Sequence, residues 1–278
     1  MEFVAETPAG PIAGHTGGDP GGPPVLLLHG GPGMTDYMDD LLGGELGGWR
    51  TISYQQRGLE PSATDGPFTV EQHVADAIAV LDAVGVERAV LLGHSWGGHL
   101  ALQIAAAHPD RVVGLVSVDG LGAAGDDGGM TALGQRLAEG LPPESMTTYA
   151  ELGQRLSGPE PSDEDATAWL RLLWPQYFAD PAAALPYPPS LRLSLAVNAQ
   201  TNASVLESLA NGFASTLKSV TVPAVFLLGE RSPMPVSQGE QTAALLPDAT
   251  VRVVPGAGHL VWYEVPDSVA EALATVSG

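Results

Sequence analysis

The chain has 278 residues, 44% of them hydrophobic, which is enough for one large α/β domain carrying an insertion or for two small domains. It contains no cysteine, which excludes a disulfide scaffold, a thiol nucleophile and thiolate metal sites. A formal net charge of −21, with Lys218 the only lysine, disfavours nucleic acid and anionic membranes; a small molecule or a short peptide is the expected partner.

In chain order, residues 3–5 and 11–14 read as two short strands joined by the turn Thr7-Pro8-Ala9-Gly10. A Gly/Pro-rich loop over 17–24 leads into a strand over 25–29, and 51–54 form the next. Residues 69–84 place Val70, Val74, Ala77, Ile78, Leu81 and Val84 at helical spacing. A strand over 89–92 precedes a helix over 96–108 that Pro109 ends, and 112–118 form another strand. Strand alternating with helix predicts a mostly parallel sheet with helices on both faces.

The alternation stops at Gly120. Helices are expected over 130–139, 148–156, 163–173 and 191–209, with a joint at 180–189 holding Pro181, Pro186, Pro188 and Pro189. That stretch is too long for a connecting loop, so residues 121–220 read as a helical cap inserted into a core made of 1–120 and 221–278. Beyond it come a strand at 224–229, a helix at 236–246, a strand at 251–254 and a helix at 266–276. No apolar run is long enough to cross a bilayer, and residues 1–6 lack the basic and apolar stretches of a secretory signal, so a cytoplasmic location is expected.

The chemistry centres on Gly93-His94-Ser95-Trp96-Gly97-Gly98, a G-x-S-x-G turn between a strand and a helix. Such a turn holds the serine hydroxyl above the sheet with a helix N-terminus behind it. A serine needs an adjacent base, and the base an orienting acid. His259, in Gly256-Ala257-Gly258-His259 after the last strand, is the expected base. The oxyanion donors are expected to be the N–H of Trp96 and that of Gly31, in the loop His29-Gly30-Gly31-Pro32-Gly33. His94 is expected to pack beneath the turn.

Together, His29-Gly30-Gly31-Pro32-Gly33, Gln56-Arg57-Gly58 and Gly93-His94-Ser95-Trp96-Gly97-Gly98 resemble the proline iminopeptidase branch of the α/β-hydrolase superfamily. The resemblance implies an eight-stranded sheet, a cap over the site, no metal or other cofactor, and release of an N-terminal proline from small peptides. Relatives with similar motifs hydrolyse esters, lactones and amides. Two positions depart from the branch: its Asp-Gln-Arg-Gly appears as Gln55-Gln56-Arg57-Gly58, and Ser232 stands where its catalytic acid does.

Three carboxylates can replace that acid. Glu230 lies two residues early, Asp248 sits in a turn, and Asp119 ends the strand at 112–118, where the haloalkane dehalogenase branch of the superfamily places its acid in some members. Asp119 is the expected acid; its alternative role is to cap the turn Asp119-Gly120. Arg57 is expected in a structural salt bridge. Trp174 and Tyr177, with Phe178, either line the substrate pocket or pack the cap, and Trp262 and Tyr263 either edge the pocket or anchor the last helix. Glu139, Glu144 and Glu151 are possible partners of a substrate ammonium without positional support. The expected activity is a serine hydrolase, proline iminopeptidase-like or an esterase or lactonase; a ligand-binding or non-hydrolytic protein of the same fold is the other class.

Overall fold

The computed structural model describes residues 1–38 and 46–277. One sheet of eight strands runs through it: β1 (Glu2–Ala5), β2 (Ile12–Gly18), β3 (Pro24–Leu28), β4 (Arg50–Tyr54), β5 (Ala89–His94), β6 (Val112–Val118), β7 (Ala224–Gly229) and β8 (Ala249–Val254). Their order is β1-β2-β4-β3-β5-β6-β7-β8. The β1–β2 and β2–β4 pairs are antiparallel, and every pair from β4 onward is parallel.

The central strands are apolar on both sides because both faces are covered. Leu26, Leu28, Leu91, Leu115, Phe226 and Leu228 enter one core, which α1 (Val70–Ala83) and α2 (Trp96–Ala107) close. Their neighbours Val25, Leu27, Val90, Leu92, Val116, Val118, Val225 and Leu227 enter the other, shared with α10 (Ser268–Val276). Alternation along each strand thus feeds two cores.

Between β6 and β7 lie α3 (Met130–Glu139), α4 (Met146–Leu156), α5 (Asp163–Leu173), α6 (Leu195–Ala210) and the single turn α7 (Phe213–Thr216). The start of α5 shows why these segments are helical: the Ser162 hydroxyl accepts from Asp165 N–H, and Asp163, Glu164 and Asp165 complement the positive end of the helix. The remaining helices are α8 (Val236–Ala243) and the turn α9 (Val261–Glu264), which the apolar pattern does not reveal.

Tertiary pairing moves several boundaries. β2 continues through Gly17 and Gly18 because these pair with Thr51 and Arg50, which shortens the expected loop. The helix expected from 191 starts at Leu195, since Leu193 forms a bridge with Met34 and Ser194 N–H bonds to the Gly33 carbonyl. The last helix begins at Ser268, after Asp267 at φ 68°. Arg57 lies buried in a two-pronged ion pair with Asp76, Nε–Oδ2 and Nη2–Oδ1 both 2.7 Å, so its role is structural.

Candidate active site

Four neighbouring strands deliver the site at their carboxyl ends, the edge where open α/β sheets gather ligands. β5 leads directly to Ser95, β6 to Asp119, β7 to Ser232 and β8 to His259. Ser95 sits at φ 55°, ψ −121°, a conformation disfavoured for a side-chain-bearing residue, and its N–H donates to the Val118 carbonyl at 3.1 Å. The turn can be this tight because Gly93 and Gly97 flank it: a Cβ on Gly97 would overlap the Leu28 carbonyl, and one on Gly93 the Gly97 carbonyl.

Asp119, also at positive φ (45°), is fixed by its N–H, which donates to the Leu227 carbonyl at 2.7 Å. Its carboxylate is buried and collects three donors. Gly229 N–H reaches Oδ1 at 3.1 Å, while the Ser232 hydroxyl and His259 Nδ1 share Oδ2, the latter at 2.5 Å. Ser232 in turn accepts from Met234 N–H at 3.0 Å and lies 3.5 Å from His259 Nδ1. A carboxylate accepts only, so His259 carries a proton on Nδ1, and among the described residues Nε2 has no hydrogen-bond partner. Ser232, standing where the resembled branch has its acid, therefore donates to the Asp119 carboxylate one strand over. Glu230, by contrast, is exposed and accepts from Gly256 N–H, and Asp248 is exposed.

His259 is held through its backbone. Its N–H donates to the Tyr177 carbonyl at 2.7 Å, and its carbonyl lies 3.0 Å from His94 Nε2. Glu264 ties the adjoining chain, accepting from Gly258 N–H at 2.6 Å and from Ala179 N–H at 2.8 Å. Tyr177 packs against the imidazole with the rings tilted by 31° and their centres 5.3 Å apart, and burial raises its hydroxyl pKa to about 12, with Tyr187 adding to the shift.

The two expected oxyanion donors flank the serine. Among the described residues no acceptor takes up the N–H of Gly31 or of Trp96. Gln56 braces both sides: its Nε2 donates to the His29 carbonyl at 2.9 Å and its Oε1 accepts from the Trp96 indole at 2.8 Å. Gln55, in place of the branch's acid, accepts from Asp36 N–H and donates to the carbonyls of Met34 and Gln56.

Ser95 and His259 open onto one narrow cavity of about 60 Å³, with Gly31, Met34, Tyr37 and His94 on the sheet side and Leu133, Leu170, Trp174 and Tyr177 over it. Trp174 and Tyr177 thus line the cavity, whereas Phe178 packs in the core against Trp174, whose indole donates to the Leu185 carbonyl. Trp262 is buried edge-on against His94, not in the cavity. Glu139, Glu144 and Glu151 are all exposed. Met34, Tyr37, Leu133 and Leu170 had no sequence signal beyond being apolar or aromatic. Among the described residues no cluster of three His, Asp or Glu side chains could hold a metal ion, and no helix is long and apolar enough to cross a membrane.

The chain is 35% identical over 107 residues to epoxide hydrolase B of Mycobacterium tuberculosis, covering 36% of this chain and 29% of that protein. It is 33% identical over 108 residues to a probable proline iminopeptidase of Leptolyngbya boryana, covering 36% and 32%. The matches span less than a third of either relative's length. A crystal structure of proline iminopeptidase from Mycobacterium smegmatis superposes with a TM-score of 0.69 at 23% identity, over 99% of this chain and 97% of that one, a likeness of fold. Residues 23–266 match the alpha/beta hydrolase fold family as a whole, and with most of the chain inside that match, the chain belongs to this family.

Proposed function

We propose that the chain is a serine hydrolase that cleaves a small ester or amide through an acyl-enzyme. The observation that carries the reading is His259 Nδ1 at 2.5 Å from a buried Asp119 carboxylate, with Nε2 left free beside a cavity that Ser95 also lines. In this mechanism Nε2 takes the Ser95 proton as Oγ attacks the substrate carbonyl. Asp119 balances the imidazolium, and the N–H groups of Gly31 and Trp96 hold the oxyanion. Collapse expels the leaving group, which takes the proton from His259. A water molecule then repeats the sequence on the acyl-enzyme and frees Ser95.

Residues 121–220 act as the cap. The 60 Å³ cavity is well below the roughly 300 Å³ at which ligand pockets begin, so any substrate larger than a short acyl chain displaces Leu133, Leu170, Trp174 or Tyr177. Among the described residues the cavity wall around Ser95, His94 and His259 is apolar and aromatic, and no carboxylate lines it. This favours a short-chain ester or lactone over an N-terminal prolyl peptide. The prolyl reading remains the second one, supported by the His29–Gly33 and Gly93–Gly98 motifs and the name of one relative.

The expected result is Ser95-dependent hydrolysis of a nitrophenyl acetate or butyrate, with a prolyl arylamide turned over at least tenfold less efficiently and Ser95→Ala as the blank. Faster turnover of the prolyl amide would reverse the order of the two readings. Hydrolysis of neither substrate would favour a ligand-binding role.

A further inference from the structure

Behind Ser95, two buried side chains join the oxyanion loop to the histidine loop. Gly30 N–H donates to the Tyr37 hydroxyl at 3.0 Å, and that hydroxyl lies 2.6 Å from His94 Nδ1. On the far side of the ring, His94 Nε2 lies 3.0 Å from the His259 carbonyl. Burial keeps the His94 ring neutral, and for a neutral ring only one assignment of protons satisfies all three contacts. A backbone N–H can only donate and a carbonyl can only accept, so His94 carries its proton on Nε2. Its Nδ1 is then an acceptor, and the Tyr37 proton points at it while the Tyr37 oxygen receives Gly30.

Among the described residues nothing competes with this arrangement. His94 is buried, and Trp262 packs edge-on to it with ring centres 4.7 Å apart, which blocks rotation of the imidazole. Burial, and then the nearby His259, push the His94 pKa well below its ordinary value, and burial pushes that of Tyr37 up, so neither group changes charge near neutrality. Gly30 fits the same scheme, because a Cβ there would run into the Tyr37 hydroxyl.

We propose that Tyr37 and His94 form a positioning relay that locks the oxyanion loop and the backbone of His259 into one frame. The proposal rests on the Ser95 hydrolase reading and deepens it. The loops concerned follow β3 and β8, strands that do not pair, and loops are the most mobile part of a scaffold. Catalysis needs the Gly31 N–H and His259 Nε2 placed together around one carbonyl, and a displacement of about 1 Å costs on the order of a hundredfold in rate. The relay gives that placement a continuous hydrogen-bonded path: Gly30, beside Gly31, to Tyr37, to His94, to His259. Neither side chain needs to touch the reacting atoms.

The test is Tyr37→Phe, which removes one oxygen and breaks two links. The expected result with a nitrophenyl ester is a kcat lower by roughly 10- to 100-fold with KM within about twofold. His94→Leu should give a similar loss, and the double variant should lose no more than the larger single, because the links act in series. Nitrogen-detected NMR on the wild type should find His94 protonated on Nε2, and the Nδ1 resonance should move in Tyr37→Phe as its hydrogen-bond donor is lost. A His94 proton on Nδ1, additive losses, or a kcat unchanged in Tyr37→Phe would overturn the relay while leaving the hydrolase reading standing. A raised KM with kcat retained would overturn it in favour of direct substrate contact by Tyr37. If the wild type shows no Ser95-dependent turnover, the hydrolase reading fails first, and the relay's catalytic purpose with it.

Discussion

Asp119→Asn is expected to lower kcat for ester hydrolysis by roughly 10³- to 10⁴-fold, and exchanging the two residues, Asp119→Ser with Ser232→Asp, to recover at least about tenfold over the single variant. The loss follows from what the carboxylate does. In the proposed mechanism it fixes the His259 proton on Nδ1 and balances the charge that forms when Nε2 takes the serine proton; an amide does neither. The recovery follows from a shared niche. The Ser232 hydroxyl rests on Asp119 Oδ2 and lies 3.5 Å from the same imidazole nitrogen, so a carboxylate growing from position 232 reaches it from the β7 side. Steady-state kinetics on the three proteins decide the matter. A double variant no better than Asp119→Asn would mean that the two positions do not serve one site.

The second large effect is acid lability. Four histidines, His29, His73, His94 and His99, are buried with pKa values lowered first by burial; His73 falls to about 3 and His99 to about 4. In the folded chain these rings stay neutral, whereas unfolded they take a proton below about pH 6.5. Protons therefore favour the unfolded chain: the stabilisation is complete above pH 6.5 and is lost progressively as pH falls toward the folded values. Each ring contributes about 1.4 kcal/mol per pH unit, so His73 and His99 together have lost about 4 kcal/mol by pH 5. Against a total of roughly 5–15 kcal/mol that is a large share. Urea unfolding at pH 7.5, 6.5 and 5 should show the midpoint holding above pH 6.5 and dropping steeply below it. His99→Gln should reduce the slope by about one proton. A midpoint flat from pH 7.5 to 5 would contradict the account.

These buried histidines mark where sequence reading stopped. The strands at 25–29, 89–92, 112–118 and 224–229 were legible because a strand buried on both faces is continuously apolar; the structure has the last two with the same bounds and shifts the first two by at most two residues. The serine turn was legible because Gly93 and Gly97 are demanded by backbone contacts that no side chain tolerates. What Ser232 does was not legible, since its partner Asp119 lies 113 residues away and meets it only because β6 and β7 pair. Tyr37 was missed for the same reason: its hydroxyl works between Gly30 and His94, and neither neighbour in sequence signals that. The extended stretch before α6 reads as helix until Met34 pairs with Leu193, a contact that overrides local propensity.

The claim on which the rest depends is that Ser95 is an activated nucleophile. Its most direct test is intact-mass analysis after brief exposure to a fluorophosphonate at neutral pH, with peptide mapping of the adduct. The account predicts one adduct per chain, located on Ser95, absent in Ser95→Ala and formed far more slowly in His259→Ala. An unmodified wild-type chain, or an adduct on another residue, would contradict it.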